Sequence, residues 1–563
     1  MKKKCLLIVN VVLVFSVLCG IGINFNWKYF YAGIRYGGKS AIGSEILFSK
    51  ASGFYEDEFY LKIYAPSKEI YYTLDGSEPT KDSVKYENAI LIDDASNREN
   101  TNSMREDFST GFLLEDPVYE VPNYLIDKCT ILKVAYYDEK GNRSQVEERV
   151  YFVDFEEKTG YENINIISIT SDPENLFSDE KGIYVLGDTY QWFLESGSEE
   201  EKARDWCFWA ANYRNHGRSW EREANITVFN VARENVLTQK VGIRTQGGAS
   251  RGYYPKSINI YARDEYGDNR LRYDFWGTGY YPKRMTLSCG GNDNRGKMMD
   301  RLVSELTENA DFGTMNYEPY VLFLNGEYWG FYYLTEKYDE QYLEHYYDVN
   351  RDNVIIIKNG SIEVGTDTDA VLYAEMIAFV ENADMAMDEN YQSACAYLDM
   401  QSLIEYFATE IYIARELDWP SSNYALWRVR ETGKKECEDG KWRWLLFDVN
   451  TSALNEDLIE HDTLAYARKK SKLFGNLWNS QQFRESFAET ILEMSETIFR
   501  ENLVQSKISE YEELMYTPVQ KHCQRFFGKT FEGKYPTATS IKNFVAQRAN
   551  YISIMLEVNM SDI

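Results

Sequence analysis

The chain has 563 residues, 44% of them hydrophobic, with 12 Trp, 45 Tyr and 29 Phe; this is enough apolar surface for several cores and excludes a disordered chain. Its 89 acidic residues outnumber 61 basic ones, and the formal charge of −28 repels phosphate backbones and anionic lipid heads, which argues against nucleic acid as a partner. Eight scattered cysteines with no CxxC pair, and four isolated histidines, indicate neither a zinc site nor a dense disulfide framework.

Lys2, Lys3 and Lys4 precede an apolar run from Cys5 to Ile23 that is long enough to cross a hydrocarbon core of ~30 Å as a helix. Positive-inside logic then places the remainder outside the cell, so the expectation is a single-pass membrane protein held through residues 5–23. No small-x-small site closes the run, which favours an uncleaved anchor over residues 1–24; a cleaved signal peptide and a secreted product are the alternative. Ser16 to Cys19 has the outline of a lipoprotein box, but Leu18 stands before Cys19, where such boxes need a small residue. Residues 25–44 read as a linker.

Short alternating runs follow at Phe59 to Tyr64, Ile70 to Leu74, Ile131 to Tyr137 and Arg149 to Val153, separated by turn signals such as Asp75-Gly76. Many short strands without helical period predict an Ig-like β-sandwich over residues 45–155. The string from Ile70 to Thr80, reading Ile-Tyr-Tyr-Thr-Leu-Asp-Gly-Ser-Glu-Pro-Thr, resembles the chitobiase/hexosaminidase C-terminal-type sandwich module. That resemblance implies an accessory part, with cell-wall glycan as a possible ligand. The polar stretch from Asp93 to Tyr119 departs from the compact pattern and is expected to be a surface loop.

From residue 160 to 563 the texture is mixed. Ile164 to Ile169, Ala224 to Phe229 and Lys240 to Thr245 are strand candidates, and Lys297 to Asn309 has helical spacing. Beyond Ser402 helices dominate, at Leu403 to Glu416, Phe483 to Ile498 and Ile541 to Val558, with a short strand at Lys441 to Phe447. The predicted class is a multidomain chain: a membrane helix, a sandwich, then an α+β domain with a mainly helical C-terminal part.

Three segments carry chemistry. Asp418-Trp419-Pro420-Ser421-Ser422-Asn423 has the D-x4-N spacing in which Asp orients a hydroxyl and Asn holds a metal. An Asp at a helix end is also a common turn former, so the spacing alone decides nothing. The run Lys-Trp-Arg-Trp-Leu-Leu-Phe from Lys441 ends in Asp448, a carboxylate placed just beyond a buried strand. The stretch Gly242 to Arg251, with its Gly247-Gly248 turn, leads into Pro255-Lys256, where loop amides and a lysine can grip phosphates, though an ordinary β-turn reads the same way.

These blocks occur in order with Lys181-Gly182-Ile183-Tyr184-Val185, Trp220 to Ala224, and Asn325-Gly326-Glu327-Tyr328-Trp329-Gly330. Together, from Ile164 to Gly475, they resemble the spore-coat protein H (CotH) kinase family, an atypical, bilobal branch of the protein-kinase-like fold. The resemblance implies Asp418 as catalytic carboxylate, and Asn423 and Asp448 as ligands of Mg2+ or Mn2+. It also implies Lys256, Arg244, Ser250 and Arg251 on the phosphates of ATP. Asp300 or Glu305 would pair with Lys256, and Glu336 and Lys337 would form the hinge beside adenine.

No Phe-Gly follows Asp448, and a charged insertion from Glu431 to Gly440 separates it from Asp418, so conventional activation-loop control is not expected. Gly291 to Lys297 matches a phosphate-loop frame until Met298 stands where a metal-binding hydroxyl belongs. Asp311-Phe312-Gly313 lies upstream of the catalytic loop and reads as a helix-terminal turn. The expected function is an extracytoplasmic kinase acting on Ser or Thr of surface or secreted proteins. The alternative is a non-catalytic adhesion or cell-wall scaffold.

Overall fold

The computed structural model describes residues 45–293, 296–530 and 536–561. The predicted membrane helix and linker lie outside these residues. Among the described residues no helix is long and apolar enough to cross a membrane.

The N-terminal part is β-rich. Strands β1 (Gly53–Tyr55), β2 (Ile70–Thr73), β3 (Val84–Lys85), β4 (Thr130–Tyr136) and β5 (Glu147–Val153) form one sheet in the order β1-β5-β4-β2-β3. Two short ribbons, Leu47–Phe48 with Ile63–Tyr64 and Phe59–Leu61 with Ile90–Ile92, complete the module. Leu61, Ile63, Ile92, Leu132 and Val134 from sheet and ribbons share one core, the burial that short alternating strands need to be stable.

Next comes a closed barrel built from β6 (Asn165–Thr170), β7 (Arg222–Phe229), β8 (Asn235–Gln246), β9 (Ser257–Tyr261), β10 (Arg284–Ser288), β11 (Tyr317–Leu324) and β12 (Glu327–Thr335). Its order is β6-β7-β8-β9-β10-β12-β11, and the parallel pairing of β6 with β11 closes it. β11 and β12 are joined by Asn325 and Gly326, at φ 44° and 86°. Two successive positive φ values are what a tight two-residue hairpin demands, and Asn-Gly supplies them.

A four-stranded sheet follows: β13 (Val354–Lys358), β14 (Ser361–Val364), β15 (Ala425–Val429) and β16 (Arg443–Leu445), in the order β14-β13-β15-β16. The helices that matter to the site are α1 (Met299–Leu306), α2 (Glu340–Tyr347) and α3 (Met400–Tyr412). The C-terminal part is α4 (Gln481–Glu496), α5 (Glu501–Phe527) and α6 (Pro536–Ser561). α5 lies against β12 at Gly330, where a Cβ would come within 2.5 Å of His522 Nδ1; the backbone N–H of Phe331 donates to that nitrogen at 3.3 Å. One hydrophobic cluster runs from the barrel through α3 into α6.

The stretch Asp93 to Tyr119 is only in part the expected surface loop: Asn97 to Glu99 and Glu115 to Pro117 are exposed, but Phe108 to Gly111 and Tyr119 are buried. It folds into three short 3-10 turns at Ala95–Asn97, Asn102–Met104 and Thr110–Phe112, and Phe108 and Tyr119 are buried in the barrel's cluster. Its polarity is consumed locally: Glu327, at the start of β12, accepts the backbone N–H groups of Thr101 at 2.6 Å, Asn102 at 3.2 Å and Ser103 at 2.7 Å. A buried carboxylate that gathers three amides satisfies its own charge and theirs, which is how a stretch of loop-like composition becomes internal.

Candidate active site

The glycine turn after β8 is held from behind by Lys256. Its side chain is fully buried, and its ammonium donates to the carbonyls of Phe108 at 2.6 Å, Arg251 at 2.9 Å and Tyr253 at 2.6 Å. It also lies 3.8 Å from the centre of the Tyr213 ring. Burial holds its pKa well below the usual lysine range. Lys256 is therefore occupied with the backbone of the loop instead of facing a ligand, which corrects the expectation of a direct phosphate contact. Nor do the two acids proposed for it approach: Glu305 pairs with Arg301 at 2.6 Å and Lys507 at 2.9 Å, and Asp300 turns the other way.

What the turn offers instead is guanidinium. Arg251 donates to the carbonyl of Arg214 at 3.0 Å, and Arg214 to that of Gly248 at 3.1 Å. Burial, then the charges of Arg214 and Arg244, lower the pKa of Arg251. The Nε atoms of Arg244 and Arg251 are buried without a hydrogen-bond partner. Arg244 stacks on Tyr261 at 4.3 Å, with Glu221 3.8 Å away. Mutually repelling, underused guanidinium donors beside a glycine turn make an anion-receptive cradle. Gly247, at φ 120°, leaves room there: a Cβ would lie 2.0 Å from Ser250 Oγ.

The family-like strings meet behind this cradle. Trp329 Nε1 donates to Tyr184 Oη at 2.8 Å, Tyr184 Oη to the carbonyl of Tyr254 at 3.0 Å, and the N–H of Lys256 to Tyr184 Oη at 3.1 Å. Forward of the turn, Tyr253 Oη donates to Asn292 Oδ1 at 3.1 Å, and the N–H of Asn292 to Asn450 Oδ1 at 3.0 Å. Asn450 Nδ2 in turn donates to Asp300 at 2.6 Å and Asp448 at 3.0 Å. The cradle and Asp448 are thus joined through two asparagines.

Asp300 also accepts the N–H of Val449 at 2.8 Å. Burial, then the charge of Asp448, pushes its carboxyl up to about 7. Two carboxylates sharing one amide, with no cation in ion-pair reach of either among the described residues, suit a hard divalent cation. Tyr317 lies in the field of the same two acids and of Glu336.

Asp418 is half-buried and doubly held. Asn423 Nδ2 donates to Oδ2 at 2.5 Å and Arg415 Nη2 to Oδ1 at 3.1 Å, leaving the amide oxygen of Asn423 for another partner. Arg415 is fully buried and lies 3.5 Å from Glu410, whose carboxyl burial pushes up to about 7. The loop is tied to the Asp448 side: the N–H of Leu454 donates to the carbonyl of Ile413 at 2.8 Å, and that of Glu416 to Ser452 Oγ at 3.3 Å. Ala414, Leu417, Asn423, Asp448, Ser452 and Leu454 all have φ between 53° and 67°. Such left-handed non-glycine residues cost ~1–3 kcal/mol each and collect where function pays for them.

Of the hinge pair, Glu336 accepts from Asn316 at 2.8 and 3.0 Å and from Tyr346 at 2.5 Å, and burial pushes it up to about 7. Burial lowers Lys337 to about 8. Lys358 sits 4.2 Å over the ring of Phe447, next to Asp448. The tempting Asp311-Phe312-Gly313 is structural: the N–H of Gly313 donates to Trp444 and its carbonyl accepts from Leu446.

Sequence reasoning missed Arg214, Asn292, Asn450 and Arg415. Asn450, two residues after Asp448, and Arg415, three before Asp418, carried a local signal, and Asn292 lies inside the Gly291 to Lys297 frame; Arg214 carried none.

Residues 60–151, within the β-rich module, match the family described as Fn3 associated, at the place where the sequence resembles a chitobiase-type module. Comparison with curated proteins gives no match. The description CotH kinase protein matches residues 243–552, a span that starts inside β8 and takes in the glycine turn, Asp300, Asp418, Asn423 and Asp448. Since that span is more than half of the 563 residues, the chain belongs to the CotH kinase family, an atypical protein kinase family whose membership implies use of ATP.

Proposed function

We propose that the chain is an extracytoplasmic kinase that moves the terminal phosphate of ATP to Ser or Thr hydroxyls of surface or secreted proteins. The observation that carries this reading is the seam of residues 448–454, which joins Asp448 and its asparagines to the Asp418 loop on one side and to the guanidinium cradle on the other.

Phosphoryl transfer is mostly positioning and charge stabilisation. In this reading the loop amides, Ser250, Arg244 and Arg251 receive the phosphates. Lys256 acts by fixing the carbonyls of Arg251 and Tyr253, and Arg214 by bracing Gly248. Asp448, Asp300 and the amide oxygen of Asn423 would hold Mg2+ or Mn2+, which when bound neutralises phosphate charge. Asp418 accepts the acceptor hydroxyl's proton, aimed by Arg415 and Asn423. The backbone at Glu336 and Lys337 borders adenine, the barrel and the four-stranded sheet with its helices serve as the two lobes, and residues 45–155 are accessory.

Labelled ATP, a divalent metal and an extracytoplasmic protein fraction test this directly. Wild-type protein should label acceptor Ser or Thr, and folded Asp418→Ala should label at least ~100-fold less. Equal labelling by the two proteins would sink the mechanism.

A further inference from the structure

A cavity of about 450 Å3 opens between the β9–β10 connection and α2, lined by Arg270, Arg272, Tyr280, Tyr281, Gln341 and His345, with Gly279 and Glu344 at its edge. None of these residues belongs to the candidate active site. Its volume suits a small organic molecule, and its lining indicates which kind.

Two buried polar groups in the lining lack partners. Gln341 is 2% exposed and Tyr280 3%, yet Gln341 Nε2 and Tyr280 Oη make no hydrogen bond. Gln341 cannot turn its amide over to cure this, because its Oε1 accepts from Arg270 Nη1. A buried amide donor left unmade costs ~1–3 kcal/mol, and both atoms are closed to the cavity itself.

The charges are just as uneven. The acids around the cavity are already paired: Asp268 with Arg272 at 2.6 Å, Asp339 and Glu340 with Arg284 at 2.7 and 3.1 Å, and Glu344 with Arg351 at 3.7 Å. Glu336 is met by Asn316 and Tyr346. Arg270 has only neutral acceptors, Gln341 and the carbonyl of Tyr281 at 3.1 Å, and no carboxylate within ion-pair distance among the described residues. His345 Nε2 faces the carbonyl of Thr278 at 3.1 Å, and its ring stacks on Tyr280 with centroids 5.1 Å apart. The site therefore presents an uncompensated guanidinium and flat aromatic walls.

We infer that this cavity is a second ligand site, taking a small oxyanion-bearing molecule whose phosphate or carboxylate meets Arg270 and whose body lies against Tyr281 and the Tyr280–His345 stack. The site is separate from the nucleotide cradle. α2, which forms one wall, also carries Tyr346, which donates to Glu336.

Isothermal titration of the full chain with inorganic phosphate, and separately with citrate, tests the site without reading kinase turnover. The titration is made in Arg251→Gln, which weakens the cradle, so that the cavity is read by itself. The expected result is binding of one of these probes, weakened ~10-fold or more when Arg270→Gln is added. Preference between phosphate and citrate identifies the source of the oxyanion. No binding of either at millimolar concentration, or binding that Arg270→Gln leaves unchanged, would overturn the inference. Thermal melting of each variant confirms that it is folded.

Discussion

Arg415, with no exposure to solvent, lies between two acids. It is buried between Glu410 and Asp418, and hydrogen-bonds only the second. Removing one partner of a buried ion pair strands the other, at ~3–5 kcal/mol, whereas replacing both by apolar groups is often neutral. Arg415→Met should therefore destabilise by about 3–5 kcal/mol in urea unfolding. The double variant Glu410→Leu/Arg415→Met should regain most of that stability and still transfer phosphate poorly, since Asp418 has lost its guide. Recovery of both would make Arg415 merely structural.

Asp300 provides a pH test at the same scale. Its folded pKa, about 7, lies above the unfolded carboxylate value of about 4. The carboxyl thus favours the folded chain below about pH 4, and that contribution is lost as pH rises through about 7. In metal-free buffer, Asp300→Asn should gain about 2 kcal/mol over wild type between pH 5.5 and pH 8, measured by chemical denaturation. Asp418 and Asn423 are legible together because five positions along one loop keep them near. Asp300 and Asn450 meet across 150 residues, and no local spacing announces that.

At the scale of elements, the glycine turn works because its neighbours approach closely. A Cβ on Gly252 would lie 2.6 Å from the carbonyl oxygen of Cys207, so Gly252→Ala should force the 3-10 turn Ala249–Gly252 off that segment. The expected cost is roughly 1–3 kcal/mol in stability, with weaker ATP binding by calorimetry as the loop moves; unchanged affinity would remove the turn from the site. The period-2 runs and helical stripes made β2, β4, β5, α4 and α6 visible in the sequence. Closure of the barrel was not, because β11 and β12 are buried on both faces and show no alternation, and because β6 pairs with β11 across some 150 intervening residues. The turn itself was visible, but the burial of Lys256 was not: the carbonyl of Phe108, 148 residues away, had to join two local ones on one ammonium.

On the scale of the whole molecule, the N-terminal module and the kinase-family part share a core through the stretch Asp93 to Tyr119. Phe108 packs against Tyr184, Tyr254 and Trp329 with ring centroids 5.2 to 5.8 Å apart, directly behind the cradle. Phe108→Ala should cost about 3–5 kcal/mol and lower the melting temperature of the whole chain in one transition. Loss confined to a separate, early transition would show the module to be an independent appendage. The composition of this stretch, rich in Asn, Asp and Glu, hid the burial of Phe108 and Tyr119, since Glu327 takes up three of its backbone N–H groups while its other polar side chains, such as Glu99, Glu115 and Asp116, stay exposed.

The central claim is that Asp448 and Asp418 divide the work, the first holding nucleotide with metal and the second addressing the acceptor. Thermal unfolding of wild type, Asp418→Ala and Asp448→Ala with ATP, in Mg2+ and in chelator, separates these roles in one measurement. At 100 times the dissociation constant, ATP with metal should stabilise wild type and Asp418→Ala by about 2.7 kcal/mol and leave Asp448→Ala unmoved, with no shift in chelator. The same shift in all three proteins, or none in any, would contradict it.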